Sequence, residues 1–144
     1  MRKKFKNMKS YKIINFNTIG IKKSHLIALE KGKDIPFEIK RIYYIFNTAK
    51  DIERGFHAHK KLKQILIAVK GSCTFILDDG ETRNEIQLDT QKKGILIDGI
   101  IWREIKNFSD DCVILVIASE NYDENDYIRN YNDFIDEVKK RHNQ

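Results

Sequence analysis

The stretch Arg54-Gly55-Phe56-His57-Ala58-His59-Lys60-Lys61 places two histidines two residues apart, directly after a glycine and shortly before an apolar run that ends at Val69. Side chains at positions i and i+2 of a β-strand point to the same face. We therefore expect both imidazoles to project from one face of a strand, with Arg54 close by. An imidazole titrates near neutral pH, so the pair is either a proton-handling device or the start of a metal site.

Length and composition indicate one globular domain. The 144 residues can bury a substantial core, and the shares of 41% hydrophobic and 33% charged residues are typical of a soluble protein. We expect a flexible basic tail over residues 1–10 and a single domain over residues 11–144. The sequence has no apolar run of membrane-spanning length. Cys73 and Cys112 lack CxxC spacing, which favours a reducing cytoplasm over a disulfide framework.

The net charge of +6 allows nucleic acid, a membrane surface or an anionic ligand as a partner. The basic residues are scattered, except at Arg2–Lys6 and Lys139–Arg141, and there is neither an RNP-like motif nor a basic helix. These features argue against nucleic-acid binding. A small anionic substrate explains the charge at least as well.

Short runs of β-branched and aromatic residues recur at close, regular spacing and predict about ten strands. Asp79-Gly80 and Asp98-Gly99 are typical of tight turns between them. No alternation of strands with helices and no internal repeat is present. This pattern predicts an all-β antiparallel jelly roll. The predicted strands are 11–16, 26–30, 41–46, one containing the two histidines, 64–69, 73–77, 82–88, 95–97, 100–105 and 113–118.

The C-terminal region changes to a helical period. Asp123 and Glu124 lie near the predicted start and the basic run 139–141 near the end, which suits the helix dipole. We expect this helix to pack on a sheet. The residues of its apolar face are Tyr127, Ile128, Tyr131, Phe134, Ile135 and Val138.

The predicted strand 41–46 has Arg41 and Tyr43 on one face and apolar side chains on the other. The polar face is either the wall of a pocket or simply solvated, and the residues alone leave both interpretations open.

A jelly roll with His-x-His after a glycine resembles the cupin superfamily. Metal-binding cupins carry a glutamate after this pair and a further histidine in a second motif. In this sequence those two positions hold Gln64 and Arg103. Gln64 is a weak neutral ligand, and Arg103 is a permanent cation that would repel a divalent ion. Since three protein ligands are the usual minimum for catalytic zinc, we predict no metal and an acid–base role for the histidines.

A more specific resemblance is to the dTDP-sugar 3,4-ketoisomerases, over nearly the whole chain from about Ile13. It is carried by Lys40-Arg41-Ile42-Tyr43-Tyr44, by Arg54–Lys61, by Leu77–Gly80 and by Tyr122-Asp123-Glu124 with Asp126-Tyr127-Ile128-Arg129. The resemblance implies a cupin without metal or other cofactor. It implies action on dTDP-4-keto-6-deoxyglucose in the synthesis of 3-amino sugars for surface polysaccharide.

The resemblance also implies roles for individual residues. His57 is the leading candidate for the base that removes the C3 proton, and His59 would share or shuttle that proton. Tyr43 would relay protons or hold the C4 oxygen. Arg41 and Arg54 would meet the diphosphate, or one of them the enediolate.

Three positions depart from the pattern of the resembled family. The family usually has Trp-His-Glu where this chain has Trp102-Arg103-Glu104, and it tends to have an Arg-Gly pair near Lys23-Ser24. Asp98 lies where a small residue is common. We expect Lys23, Asp98, Trp102 and Arg103 to contact substrate, and therefore to affect its orientation, the rate or the product stereochemistry.

By resemblance, the protein is a homodimer that exchanges N-terminal strands between subunits and supplies a 3-aminotransferase. Two other functions remain open. The chain could be a non-catalytic cupin that binds a nucleotide sugar, or an epimerase that returns the proton to the same carbon. A metal dioxygenase is disfavoured by Gln64 and Arg103.

Overall fold

The computed structural model describes residues 10–144, which contain twelve strands, one 3-10 turn and one α-helix. The basic tail predicted for residues 1–10 lies outside this range except for Ser10. No helix in residues 10–144 is long and apolar enough to cross a membrane. The strands are β1 (Tyr11–Asn15), β2 (Ile19–Ile21), β3 (Ser24–Leu26), β4 (Arg41–Ile45), β5 (Arg54–His59), β6 (Lys63–Lys70), β7 (Cys73–Asp78), β8 (Arg83–Leu88), β9 (Lys93–Asp98), β10 (Trp102–Lys106), β11 (Val113–Ala118) and β12 (Tyr127–Ile128), and helix α1 spans Tyr131–His142.

Ten of these strands form two antiparallel five-stranded sheets. The first has the order β1-β9-β6-β11-β4 and the second the order β12-β5-β10-β7-β8. Apart from the β7–β8 hairpin, neighbours in each sheet are distant in sequence, as in a jelly roll. The predicted all-β cupin-like fold with one C-terminal helix is confirmed. Hydrogen bonding between the described strands does not close the two sheets into a continuous barrel.

Apolar side chains fill three layers. The inner faces of both sheets meet around Leu66, Phe75 and Val116. Phe16, Ile35 and Phe37 cover the outer face of the first sheet, and α1 covers the outer face of the second. Strands β6 and β11 are therefore buried on both faces, which explains the unbroken apolar runs Ile65–Ala68 in β6 and Val113–Ala118 in β11.

Two predicted elements are wrong in their positions. Residues 19–26 form the β2–β3 hairpin, which pairs with no other strand of residues 10–144, so the predicted strand 26–30 is wrong except at Leu26. The helix begins at Tyr131, because Asn130 caps it by accepting a hydrogen bond from the Asp133 amide at 3.1 Å. Tyr127 and Ile128 instead form β12, which pairs with β5.

Candidate active site

A cavity of about 560 Å³ opens at one end of the space between the sheets. Every second side chain of β4, β5, β6 and β10 points between the sheets, and at this end several of those side chains are polar. The rest of the space between the sheets is filled by apolar side chains. The cavity size and its mix of apolar wall and convergent polar groups suit a small-molecule site. The polar lining residues are Arg41, Tyr43, Glu53, Arg54, His57, Gln64, Arg103, Tyr127 and Arg129.

A β-bulge in β5 sets the direction of the histidines. Gly55 and Phe56 both have positive φ, at 91° and 57°, and the register to β10 shifts between Arg103 and Glu104. A Cβ at position 55 would lie 2.8 Å from the Arg103 carbonyl oxygen, so only glycine fits there. The bulge re-aims the strand so that His57 lies opposite Arg103 and lines the cavity.

A hydrogen bond orients the His57 imidazole, and burial keeps it neutral. Its Nδ1 lies 3.0 Å from the carbonyl oxygen of Gly55. A carbonyl can only accept, so Nδ1 carries the hydrogen and Nε2 keeps its lone pair. Burial, followed by the charge of Arg103, lowers the pKa of His57 from 6.5 to about 4. The imidazole is therefore unprotonated at neutral pH.

His59 lies behind His57 and is 1% exposed. The two rings meet edge to face with centroids 4.9 Å apart, which confirms that they share a strand face. His59 Nδ1 donates to the Asp126 carboxylate at 3.1 Å, which leaves Nε2 buried with no hydrogen-bond partner among residues 10–144. Burial, followed by the charge of Arg103, lowers the pKa of His59 from 6.5 to about 2.

Three polar side chains form a chain along the inner wall. Arg103 donates from Nη1 to the Gln64 side-chain oxygen and from Nη2 to the Ile101 carbonyl at 3.1 Å. The Gln64 amide nitrogen donates to the Tyr43 hydroxyl at 3.0 Å. Burial lowers the pKa of Arg103 to about 10 and raises that of Tyr43, so at neutral pH Arg103 is charged and Tyr43 is protonated.

Cationic groups surround the cavity mouth. Arg41 and Arg54 line it, and the guanidinium of Arg41 lies 5.3 Å from the centre of the Tyr43 ring. Arg129 lies 4.2 Å over the Tyr127 ring and bonds Glu124 through two nitrogens at 2.6 and 2.9 Å. Together with Arg103, these arginines give the cavity an excess of positive charge, which suits an anionic ligand.

Comparison with known proteins identifies the family. A family model described as FdtA: WxcM-like, C-terminal, matches residues 9–139. The chain belongs to this family. It is 50% identical over 129 residues to the TDP-4-oxo-6-deoxy-alpha-D-glucose-3,4-oxoisomerase of Aneurinibacillus thermoaerophilus, covering 90% of this chain and 93% of that protein.

Solved structures of two relatives share the fold closely. One is a 3,4-ketoisomerase from Helicobacter canadensis, with a TM-score of 0.87 and 49% identity, covering 90% of this chain and 97% of the other. Another is the sugar 3,4-ketoisomerase QdtA from Thermoanaerobacterium thermosaccharolyticum in complex with TDP. Its TM-score is 0.89 and its identity 47%, covering 93% of this chain and 98% of the other. The predicted resemblance to the ketoisomerases is thereby confirmed.

Most, but not all, of the predicted site residues lie at the cavity. His57, Tyr43, Arg41, Arg54 and Arg103 line it, with His59 packed directly behind.

Three predicted substrate-binding residues lie elsewhere in the single chain. Trp102 points from the opposite face of β10 and packs on Phe134 of α1, with ring centroids 5.9 Å apart. Asp98 is exposed at the end of β9, and Lys23 is exposed in the turn of the β2–β3 hairpin. None of the three lines the cavity. The period of two in β10 already places Trp102 and Arg103 on opposite faces of the strand.

The sequence interpretation also missed three residues near the histidines. Tyr127 packs against the rings of His59 and His57, with centroid distances of 4.3 and 4.9 Å, Asp126 orients His59, and Arg129 lines the cavity. Their signal was present in the motif that ends in Tyr127-Ile128-Arg129, but the helical period assigned this segment to α1.

The residues present do not suit a divalent metal. Within the described range, no three His, Cys, Asp or Glu side chains converge as a metal site. Gln64 uses its oxygen to hold Arg103, whose charge lies beside the position a cation would occupy. Independence from metals remains a prediction.

Proposed function

We propose that this protein is a nucleotide-sugar 3,4-ketoisomerase that converts dTDP-4-keto-6-deoxyglucose into a dTDP-3-keto-6-deoxyhexose. One observation carries the proposal: a neutral His57 presents an unprotonated Nε2 at an arginine-rich cavity. The curated relative and both structural relatives are named for this activity. A histidine variant of the Thermoanaerobacterium enzyme was solved in complex with TDP-4-keto-6-deoxyglucose.

The reaction moves one hydrogen between carbons and one between oxygens. The C4 ketone acidifies the C3 hydrogen, and His57 Nε2 removes that hydrogen as a proton to give an enediolate across C3 and C4. The proton is then returned to C4. Tyr43 gives its hydroxyl proton to O4 and recovers one from O3, so the product has a ketone at C3 and both side chains are regenerated. The substrate carbonyl is the electron sink, and we propose that no cofactor is needed.

The arginines at the cavity have two different roles in this proposal. The half-buried Arg41 and the exposed Arg54 at the mouth bind the diphosphate, because arginine forms paired hydrogen bonds to phosphate oxygens. The buried Arg103 stabilises the negative enediolate from inside. His59 packs behind His57 and shares the proton that His57 removes from C3 and returns to C4.

The β2–β3 hairpin supports a homodimer with exchanged N-terminal segments. Ile19, Ile21 and Leu26 of the hairpin are 62%, 83% and 56% exposed, and burying them against a second copy would stabilise it. In the single chain, β1 pairs with β9, so exchange stays a prediction. Light scattering should give twice the monomer mass of 17.0 kDa, and Ile21→Asp should weaken the dimer. A monomeric wild type would contradict this proposal.

We further propose that the enzyme acts in the cytoplasm and supplies a 3-aminotransferase. Cys73 and Cys112 are buried and free, as expected in a reducing compartment. A 3-keto sugar is the substrate class that such an aminotransferase requires.

The decisive experiment incubates the protein with dTDP-4-keto-6-deoxyglucose and a 3-aminotransferase and identifies the product by NMR. A 3-amino-3,6-dideoxyhexose supports the proposal. A 4-keto product inverted at C3 would show an epimerase. Binding of the nucleotide sugar with no turnover would show a non-catalytic binding protein. The same NMR spectrum gives the C4 configuration.

A further inference from the structure

The hydrogen bonds from Arg103 through Gln64 to Tyr43 have only one possible direction. Arginine has no acceptor, so the Gln64 side chain must turn its oxygen to Arg103. Its amide nitrogen then faces the Tyr43 hydroxyl, which accepts at 3.0 Å. Gln64 is 2% exposed, so water cannot substitute for these partners freely.

This direction leaves the phenol hydrogen of Tyr43 uncommitted. The hydroxyl oxygen accepts from Gln64, and no acceptor for its hydrogen lies within bonding distance in the described part of the chain. Tyr43 lines the cavity, so the hydrogen is available to a bound ligand. The charge of Arg103 polarises the Gln64 amide, which in turn makes the phenol a stronger donor.

We propose that Gln64 is a positioning residue that holds Tyr43 as a hydrogen-bond donor to the substrate oxygen that becomes the enediolate oxygen. The inference rests on the proposed isomerase function and deepens it. Gln64 itself touches no reacting atom. It acts by occupying the acceptor side of the Tyr43 oxygen, so that the phenol proton can only point into the cavity and be exchanged between O4 and O3.

The amide, not merely the size of residue 64, is what this role requires. A glutamate would pair with Arg103 at least as well, because the ion pair is stronger than a bond to a neutral amide. However, a carboxylate cannot donate to Tyr43, and the phenol would donate to it instead. Gln64→Glu therefore keeps the shape of the site and reverses one hydrogen bond.

The experiment compares wild type with Gln64→Glu, Tyr43→Phe and the double variant, using dTDP-4-keto-6-deoxyglucose with chelator present throughout. The chelator matters because a glutamate at position 64 restores the acidic position of metal cupins. Gln87→Glu is the matched control, since it makes the same change on an exposed position of β8. Both single variants should lose at least ~10²-fold in kcat, with KM changed far less, and Gln87→Glu should match wild type.

The double variant gives the decisive comparison. If Gln64 acts through Tyr43, adding Gln64→Glu to Tyr43→Phe should lower kcat by no more than about threefold, because the coupled role is already lost. A wild-type-like kcat for Gln64→Glu, or a double variant at least ~10-fold below Tyr43→Phe, would overturn the inference.

A separate readout does not depend on turnover. The ¹³Cζ resonance of Tyr43, assigned by its loss in Tyr43→Phe, reports the phenol hydrogen bond. It should shift in Gln64→Glu and stay unchanged in Gln87→Glu. An unchanged resonance in Gln64→Glu would contradict the hydrogen-bond direction itself. An inactive wild type that nevertheless shows the shift would reject the proposed function while keeping the hydrogen-bond assignment.

Discussion

At the scale of single residues, two neighbouring histidines acquire different properties from their Nδ1 partners. His57 donates to a backbone carbonyl, and His59 donates to a buried carboxylate. Both keep a bare Nε2, but only His57 lines the cavity. The i, i+2 spacing predicts that the two rings share a face. It cannot predict which ring meets the ligand, because that depends on Asp126 and Tyr127, far away in the sequence.

The lowered pKa of His57 predicts the pH dependence of catalysis. The base acts when unprotonated, so kcat/KM should be nearly constant from about pH 7 to about pH 5. It should fall as the pH passes through about 4, where His57 becomes protonated. Rapid assays at each pH, with folding monitored by circular dichroism, measure this profile. A half-maximal point near the ordinary histidine value of 6.5 would contradict the burial argument.

The contact between Asp126 and His59 predicts a change of tautomer in Asp126→Asn. The asparagine oxygen can still accept from the Lys61 amide, as Oδ1 of Asp126 does at 2.8 Å, while the longer bond from the Leu62 amide to Oδ2, at 3.3 Å, is lost. Its amide nitrogen would then face His59 and donate to Nδ1, which moves the imidazole hydrogen to Nε2. Imidazole ¹⁵N shifts should reverse for His59 alone, with kcat reduced at least ~10-fold. Unchanged ¹⁵N shifts would show that Asp126 does not set the tautomer.

At the scale of elements, regular strands were predictable and irregular ones were not. Strands β6 and β11 could be predicted from their apolar runs, which arise because both faces of each strand are buried. The β2–β3 hairpin has no buried face, and therefore no alternating pattern. The segment Tyr127–Ile128 fits a helical period and a short strand equally well. Its pairing with β5 and the Asn130 cap, rather than its composition, decide between them.

The bulge in β5 gives an element-scale prediction with a built-in control. Gly55→Ala introduces strain at φ 91° and a clash with the Arg103 carbonyl, and should displace His57. Gly32 has a similar φ of 82°, but a Cβ added there would have no neighbouring atom within 4 Å. Gly32→Ala therefore introduces the backbone strain without the clash. Both variants should lose about 1 kcal/mol or more of stability, but only Gly55→Ala should lose activity. Equal kcat values for the two variants would show that the bulge does not position the base.

At the scale of the whole molecule, the fold keeps an apolar core at one end and places the polar cavity at the other. The runs of β-branched and aromatic residues explain why most of the strands could be predicted. The cavity wall could be predicted only in part. Arg41 and Tyr43 lie on β4 and Gln64 lies on β6, and these two strands are brought together by β11, which pairs with both. No local pattern shows that juxtaposition; the family resemblance supplied it.

Neutral, buried histidines also predict an acid-sensitive fold. The folded-state pKa values of His57 and His59 lie below the ordinary 6.5. Between about pH 6.5 and 4, the unfolded chain therefore binds more protons, and stability falls as the pH falls by up to about 1.4 kcal/mol per pH unit for each histidine. Urea unfolding at pH 7 and pH 5 should show this loss, reduced in His57→Asn. Equal stability at both pH values would contradict it.

The central claim is that His57 removes the C3 proton, and turnover by His57→Asn tests it most directly. Asparagine keeps the size and some hydrogen bonding but has no titratable nitrogen. With dTDP-4-keto-6-deoxyglucose followed by NMR, we expect turnover to fall at least ~10²-fold while dTDP binding is retained. Near-wild-type turnover would assign proton transfer to another residue, with Tyr43 the next candidate, and would contradict the account.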